Sequence, residues 1–114
     1  DRPTALDSYL RELDDPAERA GGLLAWALVT DRTLSQAVGF FVGNADPSSA
    51  DLFRGLREEV GDACDRTKDL LAEACEERED WERAKDAASG AIEAAYEEYV
   101  ERLESMGVKV KPVC

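Results

Sequence analysis

Gly22 to Gly43, GLLAWALVTDRTLSQAVGFFVG, concentrates ten large apolar residues in an otherwise acidic chain. It must be a membrane span, a buried core helix or a docking surface. A span needs about 20 mostly apolar residues, because the hydrocarbon layer is ~30 Å thick and a helix rises ~1.5 Å per residue. Here the apolar run breaks after Val29, and Thr30, Asp31, Arg32, Thr33, Ser35 and Gln36 spread around nearly the whole helix circumference. A polar waist of that kind argues against a span. Leu23, Ala27, Leu34, Val38 and Phe41 recur at near-helical spacing and predict a core-facing stripe, with a kink allowed if Asp31 caps a new turn at Arg32. Trp26, Phe40 and Phe41 are the candidates for an apolar core or a ligand pocket on this helix.

Punctuation on either side frames the segment. Asp15 before Pro16 reads as a helix start. GNADPSS, Gly43 to Ser49, combines a helix-ending glycine, an Asp-Pro pair and serines able to cap a new helix. Upstream, PTALDSYLREL predicts a short opening helix.

From Ser48 to Ser105 there is no proline, and the apolar residues keep one helical phase. Leu52, Leu56, Val60, Ala63, Thr67, Leu70, Ala74, Ala88, Ile92, Ala95, Tyr96, Tyr99 and Leu103 all fall within about 60° of Trp81 at ~100° per residue. This continuity favours one helix of ~87 Å, with Gly61, Gly90 and EEREDW as places where it could bend. The sequence therefore predicts an all-α fold: a helical hairpin with one long C-terminal helix or, with that helix bent, a small three- or four-helix bundle. Residues 1–114 form a single helical domain in this reading, with a short extended tail over 107–114, where Val108 and Val110 alternate with Lys109 and Lys111.

Composition narrows function. With 26 Asp and Glu against 14 Lys and Arg, the net charge of −12 repels nucleic acid and anionic lipid. The acid fits a soluble chain, with mimicry of a polyanion as a minor alternative; the first residue, Asp1, is compatible with a processed mature form and leaves the compartment open. The chain has no histidine, which removes imidazole acid–base chemistry, the usual triads and imidazole metal ligands. No phosphate-binding glycine loop is present, and EEREDWERAKD lacks the glycine turn of a calcium loop and reads as a solvated face. No catalytic, cofactor-binding or metal-ligating residue is nominated.

What remains is surface. A hairpin of Pro16–Val42 against Ser48–Cys75 covers only half of the long stripe, so Trp81, Ala88, Ile92, Tyr99 and Leu103 are expected to meet a protein partner or a second copy of the chain. Small residues from Ala84 to Ala95 would admit another helix closely. The expected function is a non-enzymatic helical interaction module; the alternative is a carrier holding an apolar ligand beside Trp26, Phe40 and Phe41. Cys64 and Cys75, eleven residues or ~16 Å apart along a helix, are beyond the ~7 Å reach of a disulfide. A straight helix would also keep both from Cys114.

Overall fold

The computed structural model describes residues 4–109. Their fold is all-α: α1 (Ala5–Arg11), α2 (Pro16–Gly43), α3 (Pro47–Ala74) and α4 (Arg78–Ser105). Each start carries a local reason. Thr4 Oγ1 accepts from the Asp7 N–H, Asp15 Oδ2 from the Ala17 and Glu18 N–H groups, and Asp46 Oδ1 from the Ser49 N–H. Pro16 and Pro47 stand at first helical positions, where a missing N–H removes no bond. The hairpin has matched arms of 28 residues each. The helix-ending glycine Gly43 is the last residue of α2, and the turn places the left-handed conformation on Ala45, φ 55°.

The polar waist does not break α2, which runs uninterrupted from Pro16 to Gly43. Asp31 turns outward to α3, where the Arg57 guanidinium donates to both of its carboxylate oxygens at 3.0 and 3.3 Å. This pair bridges α2 and α3, which the short turn between Gly43 and Pro47 already holds antiparallel.

A single helix from Ser48 to Ser105 is not what forms; the chain takes the bent course. Cys75 (φ −108°, ψ 103°) and Glu77 (φ −106°, ψ 161°) are extended, and the break falls where the acidic EEREDW stretch begins. Asp80 stabilises it: Oδ2 accepts from the Glu76 and Glu77 N–H groups, each at 3.0 Å, and Oδ1 from Arg83. Arg83 also reaches Asp15 Oδ2 at 3.4 Å, so the start of α4 is tied to the cap of α2. Phase continuity fails as an argument here because periodicity records which residues share a face, not whether the backbone between them is continuous.

After the break α4 runs parallel to α2, on a different side from α3. Gly21 lies against Ala84 and Ala25 against Ala91. The central α2 packs on both other long helices, which scarcely touch each other. The layered result measures 49 × 32 × 31 Å. α1 descends along α4: the Leu6 N–H donates to Glu98 Oε1 and the Tyr9 hydroxyl to the Ala87 carbonyl at 3.1 Å. Gly90 makes room for that ring, since a Cβ there would lie 2.9 Å from Tyr9 Cε1.

The core is built from small side chains. One cluster joins Ala17, Ala20, Leu71, Cys75 and Ala84, and another Leu6, Ala25 and Ala91. Thr67, also buried, donates its hydroxyl to the Ala63 carbonyl at 2.9 Å. Cys64 and Cys75 are both free, and burial pushes the Cys75 thiol pKa up, with Asp80 adding to the effect. The straight-helix premise behind keeping Cys114 apart no longer holds, and Cys114 lies outside the described residues together with Val110 and Lys111. At its far end α4 closes on Gly107 (φ +85°), whose N–H donates to the Glu104 carbonyl while the Val108 N–H donates to that of Leu103, both at 3.0 Å.

The Asp80 contacts have a pH consequence. The N–H groups of Glu77 and then Glu76, with Arg83 contributing, hold its carboxyl pKa below the ordinary value. A depressed folded-state pKa contributes stability above the unfolded value that is lost as pH falls through the folded one. Asp80→Asn is therefore expected to melt below the parent at pH 7, with the gap closing as the pH drops below about 4, measured by paired circular dichroism melts. A gap that stays constant down to pH 2 would mean the carboxylate charge is irrelevant to the bend.

Candidate interaction surface on the last helix

Ala84, Ala87, Ala91 and Ala94, spaced three, four and three, form the buried line of α4. At ~100° per residue this line is centred about 100° around the helix from Trp81, so α4 buries its alanines and leaves its large side chains beside the seam. The reason is distance. Where two helices meet through Gly21 and Ala84 their backbones approach until no Cβ fits between them, and many backbone and methyl atoms gain dispersion contacts at once. Rings on the approaching face would have held the helices apart.

The sequence-nominated stripe consequently remains accessible. Trp81 is 48% exposed, Ile92 50% and Tyr99 54%. Ala88 and Leu103 are half-buried, Ala88 packing against the cluster around Ala91. Tyr96, which shares the phase but was not nominated, is exposed as well, its ring centroid 6.5 Å from that of Tyr99. The cover supplied by α1 falls on the Ala87, Gly90 and Glu98 flank instead of on the stripe. Burial raises the Tyr9 hydroxyl pKa, and Glu18, Glu93 and Asp86 raise it further.

Trp26, Phe40 and Phe41 do not form one pocket. They sit on the single helix α2, where fourteen positions put Trp26 ~21 Å from Phe40. Phe41 stacks on Phe53 of α3 at 5.4 Å between centroids, and Phe40 meets Phe41 edge-on at 5.1 Å and is itself exposed. Trp26 packs against the Leu6, Ala25 and Ala91 cluster and lines two open clefts. One, of about 710 Å³, lies against Ile92, Tyr96 and Tyr99; the other, of about 350 Å³, against Leu34, Leu56 and Val60. Neither includes Phe40 or Phe41.

Asp80, read from the sequence as part of a possible bend and of a solvated acidic run, and Arg83, read only as part of that run, prove to organise the α3–α4 junction. The detectable signal was an acid three residues after Glu77, the spacing at which a side chain reaches back to the backbone N–H at a helix start. Among the described residues, no group of three or more Cys, Asp or Glu side chains is placed to hold a metal ion, and no helix is long and apolar enough to cross a membrane. Comparison with protein families, with curated proteins and with solved structures returns no match to this chain, so its function is argued from this surface alone.

Proposed function

We propose that the chain is a non-enzymatic helical interaction module, a structural subunit, adaptor or scaffold that binds through α4. The observation that carries this reading is the division of labour on that helix: alanines make the intramolecular seam, and Trp81, Ile92, Tyr96 and Tyr99 stand half in solvent. Ordering large rings at the surface without burying them gains the fold little, whereas half-exposed aromatic side chains in a row match the anchors that dominate protein–protein binding energy. The absence of histidine supports a role in binding over one in chemistry.

Trp81→Ala and Tyr99→Ala are expected to weaken association at least tenfold, about 1.4 kcal/mol, while moving the melting temperature by less than about 4 °C. Pull-down and sedimentation of each variant beside its thermal melt make the comparison. A melting temperature lowered by more than about 10 °C with binding intact would assign the rings to the fold and end this reading.

A further inference from the structure

We infer that the C-terminal half of α4 is a docking surface for a basic amphipathic helix of another protein, an inference that rests on the module reading and specifies its partner. Ile92, Tyr96 and Tyr99 succeed one another by four and three residues, the spacing with which one helix face engages another. All three are exposed. Glu93, Glu97 and Glu104, exposed as well, lie within ~100° of Tyr96 on the outer side of the row.

Charge selects the occupant. From Glu93 to Ser105 five acids stand against one base, Arg102. Glu98 accepts from the Leu6 N–H, but Glu93, Glu97, Glu101 and Glu104 make no ion pair among the described residues. Their arrangement opposes helix stability twice over. Glu93 with Glu97 and Glu97 with Glu101 are like-charge neighbours one turn apart, and Glu104 stands in the last turn, at the negative end of the helix dipole. Lysines or arginines flanking the apolar face of an incoming helix would relieve both effects while its aliphatic side chains cover Ile92, Tyr96 and Tyr99. A second copy of this chain would instead bring −12 against −12 and one glutamate row against another.

The test titrates the full chain with a fluorescently labelled Lys/Leu peptide of about five helical turns, its leucines at helical spacing. A scrambled peptide of identical composition and charge is the comparison. The helical peptide is expected to bind at least tenfold more tightly than the scrambled one, with affinity falling steeply as salt rises. The triple change Glu93→Gln, Glu97→Gln and Glu104→Gln should weaken binding at least tenfold and raise the melting temperature by roughly 4 °C, which separates lost binding from lost folding. Ile92→Ser with Tyr99→Ser should weaken it equally.

Equal affinity for the two peptides, or unchanged binding by the triple variant, overturns the inference; so does a lower melting temperature in that variant, which would make the acids structural. Sedimentation that finds self-association lost in the Ile92→Ser, Tyr99→Ser variant would also overturn the basic partner yet leave the module reading standing. If neither peptide binding nor self-association occurs, both fall.

Discussion

Gly21→Ala is expected to destabilise the protein by about 2 kcal/mol and lower its melting temperature by roughly 8–16 °C, although the same change in an isolated helix stabilises. Removing a glycine from a helix interior gains about 0.5–1 kcal/mol from backbone entropy and propensity. At Gly21 the new methyl would lie 2.8 Å from the Ala84 carbonyl carbon and 2.9 Å from its Cα, and nearer still to the carbonyl oxygen. Those are backbone atoms of α4, so no side-chain rotation relieves the overlap and the helices must separate. Gly39, on the same helix, provides the control: nothing lies within 4 Å of a Cβ there, and Gly39→Ala should raise stability by about 0.5–1 kcal/mol. Chemical and thermal unfolding of the two variants reads the outcome directly. Parallel behaviour of Gly21→Ala and Gly39→Ala would refute close packing of α2 on α4.

Adjacent leucines on α3 make an equally sharp pair. Leu71 is 8% exposed and, with Cys75, supplies the bulk in a cluster otherwise composed of alanines; Leu70 is 47% exposed. Leu71→Ala is expected to cost about 2–4 kcal/mol, because it removes transfer free energy and leaves a cavity lined mainly by alanines, with the bulkier Leu24 packed against the cluster. Leu70→Ala should cost less than about 1 kcal/mol. Denaturant unfolding midpoints at constant m-value give both numbers. The continuous stripe placed Leu70 on its line, so a larger loss at Leu70 would restore the buried face expected from periodicity.

That pair shows how far periodicity reads this chain. The stripe marks the correct general side of α3, since Val60, Ala63 and Ala74 are half-buried and Thr67 is buried, yet the face that packs is rotated toward Leu71 and Cys75. On α4 the rotation reaches about 100°, and every nominated large side chain ends beside the seam. A hydropathy stripe weights bulk, whereas close backbone packing selects for its absence. The small residues from Ala84 to Ala95 were visible as a place of close approach; that α2 of the same chain would be the helix to use it was not.

The sequence alone determined the starts of α1, α2 and α3 and the hairpin. Thr4, Asp15 and Asp46 cap helices through atoms two or three residues away, and the short turn between Gly43 and Pro47 joins arms whose equal length reflects where the caps and prolines stand. Such interactions are local, and their free energy is set by residues within one turn of each other. Tertiary structure decided the break between Cys75 and Glu77 and the face α4 buries. Both depend on α2 being present to receive the alanines of α4, through Gly21 against Ala84 and Ala25 against Ala91. The gain from that contact outweighs the backbone hydrogen bonds surrendered at the break, two of whose freed donors, the Glu76 and Glu77 N–H groups, are satisfied by Asp80. Contacts between residues some sixty positions apart leave no periodic signature in either helix alone, which is why Trp81, Ile92 and Tyr99 could be nominated from the chain while the reason they stay exposed could not.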